Sequence, residues 1–171
     1  EEERVHIMAI DLKVIPMTKG FVAADSKELA KGLARLKART PLGATDLVGG
    51  LNAAIDQFKS NNRARSIVYI GDGMSRANAI ALDELEPLVQ KLTDNRVSIN
   101  SFAIGVRRDL ETLAVLANNS GGSLYMDGPA VTAQEAGVAT LQLARGTVVW
   151  PQEVNWPAAV TQSYPSRVPP L

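Results

Sequence analysis

Ser66-Ile67-Val68-Tyr69-Ile70-Gly71-Asp72-Gly73 is the stretch that decides the fold of this 171-residue chain. Its unbroken apolar run from Ser66 to Ile70 reads as a fully buried strand, as found in a parallel sheet covered on both faces. The run ends at Gly71-Asp72-Gly73, where two glycines permit backbone shapes closed to other residues. Asp72 therefore lies just after a strand.

Beyond this stretch, helix and strand alternate. Leu85, Leu88, Val89 and Leu92 mark a helix from Asp83, followed by a strand from Val97 to Ile104, a helix from Asp109 to Asn118 and a strand from Leu124 to Met126. Thr132 with Glu135 forms a capping box for a last helix that runs to about Arg145, with Gly146 where a C-terminal cap belongs. This rhythm predicts an α/β fold: a three-layer, open, mostly parallel sheet whose right-handed crossovers put helices on both faces.

Before the stretch, Val5 to Ile10 and Lys13 to Val22 read as an antiparallel N-terminal hairpin, with Pro16 arguing for an edge position. Asp25 to Arg39 is predicted helical, with Asp25 as cap, Glu28 completing a capping box, and Leu29, Leu33 and Leu36 on one face; Gly32 weakens it slightly. The segment Thr40-Pro41-Leu42-Gly43-Ala44-Thr45 breaks the helical period. A second helix then follows, with Leu47, Leu51, Ala54, Ile55 and Phe58 along one stripe, so Thr45 lies just before a helix N-terminus.

After Trp150 the composition changes, because five of the nine prolines fall in the last 21 residues. Helix is excluded there, yet Val154, Trp156, Val160 and Tyr164 give the segment apolar content, so it is expected to be extended and packed rather than a disordered linker. The division expected is residues 1–146 as one domain and 147–171 as a proline-rich segment leading to a following domain.

Bulk properties narrow the function. With 46% hydrophobic residues the chain can bury a sizeable core, and 18 basic against 18 acidic residues leave no field to steer it to nucleic acid or an anionic membrane. Cysteine is absent, which excludes disulfides, thiolate metal sites and cysteine nucleophiles. No apolar stretch approaches the roughly 20 residues that span a bilayer, so no direct membrane insertion is expected. The chain opens on Glu1-Glu2-Glu3-Arg4 and runs at once into a strand-like segment, which reads as a cut start.

Ligands of open α/β sheets bind outside the carboxyl ends of the strands, and the loops holding Thr45 and Asp72 lie at or near that edge. A hydroxyl and a carboxylate are hard oxygen donors of the type that Mg²⁺, Mn²⁺ or Ca²⁺ takes. Asp46, Gly71, Gly73, Met74 and Ser75 would rim such a site. Two oxygens are too few for a cation that needs about six, so waters, further side chains and a partner's carboxylate would have to complete it. The plainer alternative is that Thr45 or Asp46 caps its helix and Asp72 fits a tight turn.

Other residues read more plainly. His6, the only histidine, has no triad or zinc partners and is expected to be a strand residue satisfied by neighbours. Asp11 is assigned to the hairpin turn. The pairs Arg63 with Arg65 and Arg107 with Arg108 read as solvated loop charges, without the interleaved aromatics of a single-strand binder. Trp150 and Trp156 read as packing anchors.

These residues resemble the von Willebrand factor A-type family. Gly43-Ala44-Thr45-Asp46-Leu47 is similar to the family's second metal-site segment and Val68-Tyr69-Ile70-Gly71-Asp72-Gly73 to its third. Ser101 to Gly105, Leu113 to Ala117 and Gly121 to Tyr125 are similar to its late strand, helix and Gly-Gly strand. The likeness runs from about Arg4 to Arg145, in the family's order. It implies that Thr45 and Asp72 are metal ligands in a non-enzymatic, metal-dependent adhesion or protein-binding module, with a partner's Asp or Glu completing the coordination.

The family's Asp-x-Ser-x-Ser motif, which ends its first strand, occurs nowhere here. The expectation is therefore truncation upstream: the central first strand and its helix are missing, and this chain alone does not hold Mg²⁺, Mn²⁺ or Ca²⁺ tightly. Two alternatives stay open. One is an A-type interaction domain without metal. The other is a haloacid-dehalogenase-type phosphohydrolase, whose metal loop also reads Gly-Asp-Gly, although Asp11-Leu12-Lys13 has Lys where its nucleophile motif needs a second Asp and Ser75-Arg76 replaces the usual Asn-Asp. The tail from Tyr164 to Leu171 resembles the junction found in large multidomain A-domain proteins such as inter-alpha-trypsin-inhibitor heavy-chain relatives, which implies other domains of a parent chain and an extracytoplasmic or cell-surface setting.

Overall fold

The computed structural model describes residues 3–40, 43–59, 61–75, 80–126, 128, 130–152, 154–162 and 168–171. Of the residues singled out above, Glu1, Glu2, Pro41, Leu42, Arg76 and Tyr164 lie outside that set. The chain divides into two compact units, one formed by residues 1–60 and 74–88 and the other by 61–73 and 89–171.

In the first unit, the expected hairpin forms as two separate pairings. β2 (Met8–Ile10) pairs antiparallel with β3 (Val14–Pro16), and β1 (Arg4–Val5) pairs with β4 (Val22–Ala23). Between them the ladder is interrupted where the Met17 and Thr18 N–H groups both donate to the Ile7 carbonyl, at 2.8 and 3.4 Å, a two-against-one arrangement of the bulge type. The buried Thr18 hydroxyl fills the gap, accepting from Ile7 N at 3.1 Å and donating to Gly20 O at 3.0 Å. Pro16 is exposed at the end of β3, where its missing N–H costs nothing.

Helix α1 (Lys27–Lys37) starts one residue later than expected. Ser26 is its N-cap, accepting from Leu29 N at 3.2 Å, in place of Asp25. Its buried residue is Gly32 rather than the leucine stripe: a Cβ there would stand 2.7 Å from Thr18 Cγ2 and 3.2 Å from the Met17 carbonyl. The glycine that lowers helix propensity is thus the point of closest approach, and Leu33 and Leu36 are left 43% and 39% exposed. Helix α2 (Leu47–Ile55) carries Leu47, Leu51 and Ile55 on one stripe and essentially inaccessible, but it ends before Phe58, which the pattern puts on the same stripe.

In the second unit, β5 (Arg65–Gly71), β6 (Val97–Ala103) and β7 (Leu124–Met126) form a parallel sheet in that order. Helix α3 (Leu82–Asp94) carries the boundary between the units, while α4 (Leu110–Ser120) packs on β6 and β7, and α5 (Ala133–Ala144) on β5 and β6. β6 is buried along both its faces, which is what a central parallel strand under helices requires. The capping box of Thr132 and Glu135 is present at the start of α5. Exposed as it is, the Glu135 carboxyl is held below its usual range by the Thr132 N–H and hydroxyl.

β5 differs from the expectation of a fully buried strand. Tyr69 is 8% exposed, but on the opposite face Val68 and Ile70 are 42% and 60% exposed. The cause is position: β5 ends its sheet, so its side chains have a flanking strand on one side only. Arg65 is likewise not a free loop charge, since it lies in β5 and donates to the carbonyls of Asn95 at 2.7 Å and Asn61 at 3.2 Å. Arg108 donates to the Ala103 carbonyl at 3.3 Å.

The C-terminal segment comes back to this unit. Val149 and Leu171 exchange both backbone hydrogen bonds, at 2.6 and 3.0 Å, and Pro170 is buried. Trp156 is 53% exposed and so does not anchor this packing. Among the described residues no helix is long and apolar enough to cross a membrane.

Candidate functional site

The residues singled out for a cation site divide between the units: Thr45, Asp46, Met74 and Ser75 belong to the first, and Gly71, Asp72 and Gly73 to the second.

Around Thr45 the geometry is that of a built helix start. Asp46 is the N-cap of α2, its carboxylate accepting from Gly49 N at 2.9 Å and its carbonyl from Gly50 N at 3.0 Å. Ser75 closes the same turn from a distant part of the sequence, its hydroxyl accepting from Leu47 N at 3.1 Å and donating to the Thr45 carbonyl at 3.3 Å. Two of the orphan N-terminal donors of α2 are thereby satisfied by Asp46 and Ser75 side chains. The half-buried Thr45 contributes its carbonyl here, and its hydroxyl takes no part in the cap. Of the two capping candidates, then, Asp46 is the cap.

Asp11 stands beside this turn. Its carbonyl accepts from Asp46 N at 2.9 Å, and its buried carboxylate pairs with the Arg39 guanidinium. It occupies the hairpin turn as expected, with an added role in tethering the α2 start. The carboxylate that a phosphohydrolase would need as nucleophile is engaged by an arginine.

Around Asp72 three backbone groups of the turn are tied down. The Gly71 carbonyl accepts from Ile104 N at 3.0 Å, the Asp72 carbonyl from Asp109 N at 2.8 Å, and the Gly73 N–H donates to the Tyr69 hydroxyl at 3.2 Å. Asp109 in turn caps α4, accepting from Thr112 N at 3.0 Å. Asp72 itself is half-buried at the carboxyl end of β5.

The two glycines of the turn serve different needs. Gly73 has φ +75°, the left-handed region that favours glycine. Gly71 does not; a Cβ there would lie 2.4 Å from the Tyr69 hydroxyl oxygen, so its need is for space. Burial, reinforced by the nearby Asp72 charge, pushes the Tyr69 phenol above its usual pKa, which keeps it a neutral hydrogen-bonding group; the Gly73 N–H works the other way.

Tyr69 and Asp109 were not among the residues singled out from sequence. The available signal was strand alternation: Tyr69 and Gly71 share a face, and a bulky residue two positions before a glycine can fill the volume the glycine leaves. His6 meets its expectation of being satisfied by neighbours, although it lies between β1 and β2 rather than in a strand. Its Nδ1 lies 2.7 Å from the Thr18 hydroxyl. That hydroxyl is also 3.0 Å from Gly20 O.

As cation ligands, the Thr45 hydroxyl and the Asp72 carboxylate fit by chemical type, both being hard oxygens, and fall short in number. Among the described residues there is no group of three or more His, Asp or Glu able to hold a metal ion.

Comparison with solved structures supports the fold. The chain superposes on a von Willebrand factor type A protein from Catenulispora acidiphila with a TM-score of 0.68 at 14% identity, covering 85% of this chain and 34% of that one. A conserved hypothetical protein BatB from Bacteroides thetaiotaomicron gives 0.57 at 12% identity, over 83% of this chain and 79% of that one. The SpRpn10 VWA domain gives 0.57 at 16% identity, over 84% and 75%. No curated protein sequence matches the chain. A family model for the von Willebrand factor type A domain matches residues 1–126, taking in the Thr45 turn, the Asp72 turn and all seven strands. With that match extending over most of its length, the chain belongs to the von Willebrand factor type A domain family.

Proposed function

We propose that this chain is a divalent-cation-dependent protein-binding module, in which Asp72 donates an oxygen to Mg²⁺, or to Mn²⁺ or Ca²⁺, an Asp or Glu of a protein partner takes an open position on the ion, and the Thr45 hydroxyl is a second candidate ligand. Domains of this family generally serve as protein-interaction modules. The observation that carries the metal reading is the division of labour at the start of α2: Asp46 and Ser75 satisfy the helix donors, and the adjacent Thr45 hydroxyl is not spent on the cap.

The physical logic is simple. A cation with an unfilled coordination position attracts a carboxylate strongly, and no nucleophile or general base is required. Two protein ligands imply weak affinity for the ion by this chain alone, with water and the partner filling the rest.

The test separates ligation from capping. Thr45→Ala should weaken Mg²⁺-dependent binding to an immobilised Asp-bearing peptide and leave thermal stability nearly unchanged, whereas Asp46→Ala should lower stability first. Equal peptide binding by Thr45→Ala and the parent protein would overturn the assignment of Thr45. A second reading, an interaction domain of the same family without metal, is favoured by the observation that no three His, Asp or Glu cluster as a metal site among the described residues. Binding that is indifferent to chelator selects that reading.

A further inference from the structure

We propose that Tyr69 is a positioning residue for Asp72, its hydroxyl and ring together fixing the direction in which the Asp72 carboxylate is presented to a cation. This rests on the reading of Asp72 as a ligand.

Three observations converge on the turn. First, Tyr69 and Gly71 lie on one face of β5, and the Tyr69 ring occupies the volume a side chain at 71 would take: an added Cβ would meet Oη at 2.4 Å and Cζ at 2.7 Å. Second, the same hydroxyl reaches past Asp72 and accepts the Gly73 N–H at 3.2 Å in a buried setting, so Tyr69 brackets Asp72 on both sides. Third, the turn lies close against the start of α4: a Cβ at Gly73 would stand 2.8 Å from both the Asp109 carbonyl and Leu113 Cγ, and Asp109 N donates to the Asp72 carbonyl at 2.8 Å. The turn is clamped between the Tyr69 hydroxyl and the start of α4. Removing the hydroxyl leaves a buried N–H without its acceptor, and the turn must relax to find water or another partner. A ligand carboxylate tolerates little such movement, because Mg²⁺ demands near-ideal geometry at short range.

The experiment uses the 171-residue chain labelled with ¹⁵N and titrated with Mn²⁺, whose paramagnetic broadening of nearby amides reads weak sites. Tyr69→Phe keeps the ring and its packing. It should weaken Mn²⁺-induced broadening at Asp72 and Gly73 by about tenfold in apparent affinity, within the range seen when an outer-sphere partner of a metal ligand is lost. It should also speed hydrogen exchange of the Gly73 amide. Ile99→Val, at a fully buried position in β6, is the control for general loosening and should change neither.

Tyr69→Phe behaving like Ile99→Val in both readouts overturns the proposal. If the parent chain shows no broadening at Thr45 or Asp72, the metal reading itself fails. The positioning role rests on that reading and is overturned with it, and Gly73 exchange in Tyr69→Phe then reports only on the turn's own stability.

Discussion

At the scale of single residues, two positions make predictions that depend on local chemistry alone. Gly71→Ala forces a methyl against the Tyr69 hydroxyl and ring, and overpacking of this kind should cost about 1–3 kcal/mol in chemical denaturation. Combining it with Tyr69→Phe should recover only part of that, since the ring carbon stays too close. His6 supplies a pH dependence. Burial lowers its pKa below the ordinary 6.5, against a smaller opposing contribution from the Gly20 backbone. The unfolded chain therefore binds the proton more readily, so this contribution to stability is complete above pH 6.5 and is lost as the pH falls through the lower folded value. Urea midpoints measured from pH 7.5 down to 5 should fall in the parent protein, and that part of the fall should vanish in His6→Gln. A His6→Gln profile identical to the parent's would refute the assignment.

At the scale of elements, the caps give the clearest prediction. Asp46→Ala removes the acceptor for Gly49 N and should destabilise the protein by about 1 kcal/mol, seen as a lowered urea midpoint. Elements whose residues interact with near neighbours in sequence were legible: the α2 stripe of Leu47, Leu51 and Ile55 and the Thr132–Glu135 box formed where expected, and the alternation of strand and helix also placed the parallel run of β5, β6 and β7. What was not legible depends on contacts distant in sequence. Gly32 rather than the leucines faces the hairpin, and the apolar face of β5 lies at a sheet edge; the replacement of Asp25 by Ser26 as cap is a separate, one-residue local shift. Local pattern records that Val68 and Ile70 are apolar; only strand order determines how much cover they receive. For the same reason Thr45 and Asp72 could be marked from sequence, while Ser75 as a partner of the Thr45 carbonyl and Tyr69 as the acceptor for Gly73 depend on the fold.

At the scale of the whole molecule, the match over residues 1–126 makes the chain a von Willebrand factor type A domain, a family that generally serves in protein interactions. The chain spans 34% of the Catenulispora acidiphila protein it superposes on, so partners and setting belong to the proposal rather than to the comparison. The central claim is that Asp72 carries a cation on which partner binding depends. It is tested most directly by measuring binding to an Asp-bearing peptide surface in Mg²⁺ and then in excess chelator, for the parent protein and for Asp72→Asn. The account predicts binding by the parent protein in Mg²⁺, its loss in chelator, and a weak response from Asp72→Asn that chelator does not lower further. Equal binding in Mg²⁺ and chelator, or an Asp72→Asn protein that responds to Mg²⁺ as the parent does, would contradict it.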